Sequence, residues 1–300
     1  MSEVRFDGRV AIVTGAGNGL GRSHALSFAA RGAKVVVNDL GGSTFGEGAD
    51  KSAADLVVDE IRSAGGEAVA NYDSVTDGAN IVQTALDAFG RVDIVVNNAG
   101  ILRDVSFHKM VEADWDLVYE VHVKGAFAVT HAAWPLLREQ QYGRVIFTAS
   151  AAGIYGNFGQ VNYAMAKLGQ HGMSQALAQE GRKRNILVNT IAPMAGSRMT
   201  ETVLPPEIVE QLKPRYVTPL VLKLCDEKSD EWGGLYEVGA GWFGKLRWER
   251  AQGVGLPLGK GISPEDVNAA WDKITDFTDA THPRSVNQGM MALMGNLQNI

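Results

Sequence analysis

The chain has 300 residues, 45% of them hydrophobic, which is enough for one large domain with a real core or for two small ones. Its net charge of −6, with no cluster of basic residues, argues against nucleic acid or an anionic membrane surface as a partner. A single cysteine, Cys225, excludes an internal disulfide, and no apolar run reaches the ~18 residues that span a bilayer.

Val10 to Thr14 is a short apolar, β-branched run and reads as a buried strand. Gly15-Ala16-Gly17-Asn18-Gly19-Leu20-Gly21 follows, then a helix over Arg22 to Arg31 that stops at Gly32. Strand, glycine turn and helix are the context of a dinucleotide site. Glycines let the backbone approach a pyrophosphate, and a helix N-terminus offers amides and partial positive charge. Lys34 to Val37 is the second strand, ending in Asn38-Asp39-Leu40. An acid at that point can accept hydrogen bonds from a ribose diol and repel a 2′-phosphate. No Lys or Arg lies in the turn or just after Asp39, so NAD is favoured over NADP.

A glycine-rich insertion spans Gly41 to Gly48, and a helix runs over Ala53 to Ala64. Glu67 to Tyr72 is the third strand; Asp73, Ser74 and Val75 at its end are expected to wall an adenine, or else to cap a helix. A helix over Asn80 to Phe89 leads to a strand over Val92 to Val96 and then to Asn97-Asn98-Ala99-Gly100. Small and amide residues there suit close approach to a ligand and bonds between neighbouring strands. One helix is expected from Ala113 to Arg138, carrying His122. The strand from Gly143 to Ser150 brings Ser150 to the same edge, and Ile186 to Ala192 is the sixth strand, ending at Pro193. Strands and helices alternate without a linker, which predicts a parallel, doubly wound sheet. The six histidines are scattered and Cys225 has no partner in sequence, so no metal site is expected.

Tyr163 and Lys167, four apart on the helix after Ser150, project from one face. A cation beside a phenol favours the phenolate. Bringing a tyrosine from pH ~10 to neutrality needs about 4 kcal/mol, more than one exposed ion pair supplies. A dry pocket and a second cation, such as a nicotinamide ring, are therefore required. Alone, the pair would be two side chains on a helix.

Thr14-Gly15-x-x-x-Gly19-x-Gly21, Asn97-Asn98-Ala99-Gly100, Ser150 and Tyr163-x-x-x-Lys167 occur in order. Together they resemble the classical short-chain dehydrogenase/reductase family over roughly Asp7 to Gly241. Val37-Asn38-Asp39-Leu40-Gly41-Gly42, Ala152 to Gln160, Gly239-Ala240-Gly241-Trp242 and Gly244 to Arg250 resemble one branch, the (3R)-hydroxyacyl-CoA dehydrogenase units of multifunctional β-oxidation enzymes. The resemblance implies an α/β fold of the Rossmann type with about seven strands, a core over 1–241 and a helical extension over 242–300. It implies NAD held by Gly15, Asn18, Gly19, Leu20, Gly21, Asp39, Asp73, Ser74, Val75, Asn98, Ala99, Gly100, Tyr163 and Lys167, with Ala195, Gly196, Ser197 and Arg198 over the nicotinamide end. Ser150 and Tyr163 would bind an acyl-CoA substrate, Tyr163 would take its proton, and Lys167 would lower the tyrosine's pKa.

His122 stands where classical members carry an asparagine, so it would replace that residue in holding a water or passing a proton. The branch also implies a homodimer, a peroxisomal setting and fusion to hydratase and sterol-carrier domains. Met1 to Asp7 lack the apolar core of a signal peptide, and Gln298-Asn299-Ile300 is not a Ser-Lys-Leu address, so any peroxisomal address is expected on another part of a longer chain. A free-standing cytoplasmic bacterial homologue is the alternative. The residues themselves argue only for a secondary alcohol or ketone. An NADPH-dependent 3-ketoacyl-carrier-protein reductase, a hydroxysteroid dehydrogenase and a non-catalytic NAD sensor stay open. In the tail, Ser263-Pro264-Glu265-Asp266 predicts a capped helix whose stripe is Val267, Ala270, Trp271 and Ile274. It would finish a substrate tunnel or dimer surface, or simply pack on its own subunit.

Overall fold

The apolar runs form β1 (Val10–Thr14), β2 (Lys34–Asn38), β3 (Glu67–Asn71), β4 (Ile94–Asn97), β5 (Gly143–Thr148) and β6 (Ile186–Met194). They are seen in a computed structural model that describes residues 3–43, 45–48, 52–195, 211–259 and 261–299. With β7 (Leu235–Gly239) and β8 (Trp242–Leu246) the sheet order is β3-β2-β1-β4-β5-β6-β7-β8. Pairing is parallel from β3 through to β7. The expected parallel sheet is present, with eight strands among the described residues.

Alternation in β1 shows why both faces are covered. Ala11 and Val13 join a core with Phe28 of α1 (Gly19–Ala29), Val57 and Ile61 of α2 (Ser52–Ser63) and Val221 of α8 (Thr218–Cys225). Val10 and Ile12 face the other way, towards Ile81 and Ala85 of α3 (Gly78–Phe89) and Val129 and Leu137 of α5 (Gly125–Gln140). A strand buried on both sides has no polar face, so its sequence is a continuous apolar run rather than an alternating one. The strand order reverses between β1 and β4, which opens a crevice at their carboxyl ends.

Three elements differ from expectation. β6 continues through Pro193 to Met194, because an extended backbone accepts proline's fixed φ. β8 extends the sheet beyond β7 through Ala240 (φ 48°) and Gly241 (φ 80°), a two-residue turn with both residues left-handed, as in the mirror-image turns that return a strand antiparallel. The helix expected from Ala113 to Arg138 is divided into α4 (Glu112–Tyr119), a π-turn over Glu120–Lys124, and α5. His122 sits in that π-turn. Its backbone carbonyl accepts a hydrogen bond from Gln170 Nε2 at 2.6 Å, from the helix α7 (Val161–Gly181), so a partner outside the helix satisfies the disturbed ladder.

Two compact units divide the chain between Lys245 and Leu246. The second contains α9 (Pro264–Ala269), α10 (Trp271–Ile274) and α11 (Val286–Asn296). Ser263 and Asp266 form a reciprocal capping box at the predicted helix start. The predicted helix breaks at Ala270, and Trp271 is exposed. Backbone bonds between Arg250 and Thr281 and between Leu258 and Asn299 close the unit. No described residue of 246–299 is fully buried.

Candidate active site

The glycine turn leaves β1 at Thr14 and enters α1 at Gly19. Its glycines do different work. A Cβ on Gly15 (φ 61°) would lie 2.8 Å from Ala99 Cα, and one on Gly21 would lie 2.1 Å from the Gly15 carbonyl oxygen, so these two allow protein to pack on protein. A Cβ on Gly19 (φ 55°) would meet nothing within 4 Å. Gly19 and Leu20 therefore begin α1 at open space. Asn18, the residue before the helix, makes no side-chain cap to its amides, and the first turn holds no acid. Free amides at a helix start facing open space fit a pyrophosphate.

Asp39 extends from the end of β2. Its carboxylate accepts from the Gly17 amide and the Gly41 amide, each at 2.7 Å. A Cβ on Gly17 would lie 2.8 Å from Asp39 Oδ2, so Gly17 is a residue the motif reading passed over: it seats the acid against the turn. Each carboxylate oxygen keeps a lone pair for a ribose hydroxyl. At the end of β3, Asp73 accepts from Asn71 Nδ2 at 2.7 Å, and Ser74 accepts from the Thr76 amide as a helix cap. Val75 is buried and would be struck by a Cβ on Gly125. Asn98 Nδ2 donates to the carbonyls of Thr14 (2.9 Å) and Gly15 (3.1 Å), while Thr14 Oγ1 accepts from the amides of Asn98 and Ala99. Asn98 thus braces the turn from β4. Ala195 is half-buried beside the α1 core; Gly196, Ser197 and Arg198 lie outside the described residues.

Ser150 lies two residues beyond β5, which stops at Thr148 short of the expected Ser150, and caps the short helix α6 (Ala151–Tyr155), its hydroxyl oxygen accepting from the Ala152 amide at 3.2 Å. Tyr163, half-buried on the first turn of α7, is hydrogen-bonded to Ser150. Lys167 is buried one turn on, donates to the Thr148 carbonyl at 2.7 Å, and has its Nζ 5.5 Å from the centre of the Tyr163 ring. The three expected catalytic residues therefore meet at one point of the sheet's carboxyl edge. Burial pushes the Tyr163 phenol up to about 12, against the hydrogen bond from Ser150, which lowers it; the charge of Asp104 adds to the rise. Burial brings the Lys167 amine down to about 7. The chain alone does not make a phenolate at neutral pH. A further positive charge at the site is needed, as the energetics of the pair already required.

His122 stands edge-on to Tyr163, with ring centres 5.3 Å apart and planes at 88°. Its Nε2 lies 3.0 Å from the Ile101 amide and 2.8 Å from the Ile101 carbonyl, and its tautomer decides which bond forms. Nδ1 is buried without a partner. Burial, reinforced by Lys167, holds the ring well below the usual histidine range, so it is neutral. A Cβ on Gly100 would come 2.4 Å from His122 Cε1. Gly100 therefore makes room for the imidazole.

The short chain dehydrogenase family model matches residues 9–207. The chain is 58% identical over its full length to the peroxisomal multifunctional enzyme type 2 of Mus musculus, of which it spans 41%. It is 52% identical over 91% of its length to a short-chain type dehydrogenase/reductase of Mycobacterium tuberculosis, of which it spans 96%. The structure of the full-length Drosophila melanogaster peroxisomal multifunctional enzyme type 2 superposes on 98% of this chain with a TM-score of 0.85 and 45% identity; the match takes in 50% of that protein.

Lys167 gives the site a stability signature. Between pH 7 and 10.5 the unfolded chain holds a proton that the folded amine has lost, so this residue makes stability rise with pH across that window, and its penalty is full below pH 7. The urea-derived unfolding free energy of the wild type should climb relative to that of Lys167→Met between pH 7 and 10, by about 1.4 kcal/mol per pH unit at most. Parallel curves would show an amine of ordinary pKa.

Proposed function

Because the chain belongs to the short-chain dehydrogenase family, we propose that it oxidises (3R)-3-hydroxyacyl-CoA thioesters to 3-ketoacyl-CoA in fatty-acid β-oxidation. The observation that carries the reading is the meeting of Ser150, Tyr163 and Lys167 beside a glycine turn whose Gly19 faces open space. The names of the multifunctional relatives support the substrate class.

When bound, NAD would supply an oxidised pyridinium as acceptor for the hydride from C3. The rest falls to the chain. The Ser150 hydroxyl holds the substrate oxygen, and Tyr163 Oη takes the hydroxyl proton. Lys167 binds the nicotinamide ribose and adds its charge beside the phenol. Asn18, Gly19 and Leu20 would face the pyrophosphate, on a turn that Gly15 and Gly21 let pack closely on the protein behind it; Asp39 would accept from the adenosine ribose and disfavour a 2′-phosphate, which selects NAD. Asp73, Ser74 and Val75 border the adenine, and Asn98, Ala99 and Gly100 shape the nicotinamide side. His122, neutral and with Nδ1 unpartnered, holds a water in the place of the family's asparagine.

Residues 242–300 would complete the substrate tunnel or a homodimer surface, a reading supported by the absence of any fully buried residue among those described from 246 to 299. The extra length of the mouse relative supports native fusion to further domains and a peroxisomal setting. The Mycobacterium relative, matched over 96% of its length, supports the second reading of a free-standing enzyme, for which the cytoplasm would be the setting.

A positioned proton acceptor is worth ~10²–10⁴ in rate, so Tyr163→Phe should lose at least ~10²-fold in kcat while NAD binding, read by fluorescence titration, survives. Undiminished turnover would refute the assignment. Asp39→Ala should narrow the preference for NAD over NADP by at least about tenfold in kcat/KM; an unmoved ratio would leave Asp39 a turn residue only. Truncation at Lys245 should reduce thioester turnover and weaken self-association in ultracentrifugation, and a fully active truncated chain of unchanged mass would make the tail dispensable.

A further inference from the structure

Three consecutive residues after β4 are fastened to the start of α7. The Arg103 carbonyl accepts from Asn162 Nδ2 at 3.1 Å, the Val105 amide donates to the Gly159 carbonyl at 2.8 Å, and Asp104 Oδ2 accepts from Gln160 Nε2 at 2.5 Å. Gln160 precedes Tyr163 by three residues, and the Asp104 carboxylate is thereby held one helical turn from the base. The carbonyl end of Gln160 is occupied by Asn157 Nδ2 at 2.8 Å, which fixes the amide's orientation.

The charges around this point do not cancel. Arg103, the adjacent cation, is turned to Glu47 (3.3 Å) and Asp114 (3.6 Å). The side-chain partner of Asp104 is a neutral amide. Of the other titratable groups beside Tyr163, His122 on the π-turn is neutral, and Lys167, one turn further along α7 with its Nζ 5.5 Å from the ring centre, donates to Thr148 and forms no ion pair with Asp104. The Asp104 charge opposes ionisation of Tyr163, so its field reaches the hydroxyl.

We propose that Asp104 is a charge filter: an uncompensated carboxylate, fixed by Gln160 beside the proton acceptor, that makes the site reject substrates carrying an anion near the reacting carbon. The proposal rests on the hydroxyacyl reading and extends it to specificity. A free 3-hydroxy carboxylate puts a negative charge two bonds from C3. A thioester or ester of the same acid is neutral there, and the phosphates of CoA are a pantetheine's length away. With the 3-hydroxyl on Ser150 and Tyr163, only the free acid meets Asp104 as a like charge. A unit charge several ångströms away at a partly wetted site is worth about tenfold in rate or affinity, and less in salt. Asp104 acts here as a positioning and specificity residue; it gives and takes no proton.

The test uses the 300-residue chain with NAD and two probes of one acyl group, the (3R)-3-hydroxybutyryl thioester of N-acetylcysteamine and free (3R)-3-hydroxybutyrate. Asp104→Asn retains an acceptor for Gln160. It should raise kcat/KM for the free acid about tenfold, alter that for the thioester less than about threefold, and move the apparent pKa of the base in the pH–rate profile downward. Discrimination by the wild type should shrink as ionic strength rises from about 0.02 to 0.5 M, and that of the variant should not. An unchanged acid-to-thioester ratio, with thioester turnover intact, overturns the filter and leaves the functional reading standing. If the wild type oxidises neither probe, the functional reading falls and the filter falls with it. Should Asp104→Asn lose both activities, Asp104→Glu decides: continued rejection of the acid upholds the filter, and lost discrimination overturns it.

Discussion

The site depends on two helices that touch without a side chain between them. Gly153 of α6 faces α7, where a Cβ would lie 2.8 Å from the Leu168 amide nitrogen and 3.2 Å from the Ala164 carbonyl oxygen. No larger residue fits unless the helices part. Because they do not, Ser150 at the start of α6 and Tyr163 on the first turn of α7 reach hydrogen-bond contact, though they leave the sheet at different points. The same closeness helps to bury the amine fully and the tyrosine in part. That explains the two opposed shifts: burial disfavours whichever form is charged, so the phenol rises to about 12 and the amine falls to about 7. An enclosed pair of this kind is inert until an added positive charge reverses the balance. On the proposed reading the charge is the bound cofactor's, and base formation would then be coupled to cofactor occupancy.

Much of this was legible in the residues because the underlying causes are local. Val10 to Thr14 can only be a strand buried on both faces, and Gly19 announces a backbone that must approach something other than protein. Tyr163 and Lys167 share a face by helical arithmetic alone. What could not be read depends on contacts distant in sequence. Nothing in Glu120-Val121-His122-Val123-Lys124 reports a π-turn, because the group that receives the displaced carbonyl is Gln170, 48 residues on. Gly17 is one glycine among several in the sequence, and its role comes from Asp39, 22 residues on, resting on it. Asp104 offered no motif, since its significance comes from Gln160 beside it and from Arg103 being occupied elsewhere.

His122 is placed by a local distortion and by distant contacts together. In a regular α-helix the residue at that place projects with its neighbours; the π-turn instead directs the imidazole at the Ile101 backbone and edge-on to Tyr163. The position demands a glycine opposite, and Gly100 is there. The last glycine of Asn97-Asn98-Ala99-Gly100 therefore has a steric role here that the motif reading, which gave it to the cofactor, did not foresee. A neutral ring with one nitrogen held by backbone and the other buried without a partner is suited to gripping a single water, because it can present a donor or an acceptor without changing charge. A primary amide, with its donor and acceptor on separate atoms, would do this in a fixed sense only.

The second unit raises a different physical question. Its elements are well formed locally: Ser263 and Asp266 satisfy each other at one helix start, and Ser285 caps α11. Yet Met290, Met291, Leu293, Met294 and Leu297 of α11 and its end are exposed, as are Trp248, Trp271 and Phe277. Capping contributes about 1 kcal/mol per helix end, whereas ordering a residue costs 1–2 kcal/mol of backbone entropy, so caps alone cannot hold such a segment in one form. Burial of apolar surface has to supply the difference, at roughly 25 cal/mol per Å². Methionine is the side chain best able to fit an irregular surface, since its unbranched, polarisable thioether repacks at little cost. A segment with this composition and this exposure carries apolar surface that its own short elements do not bury.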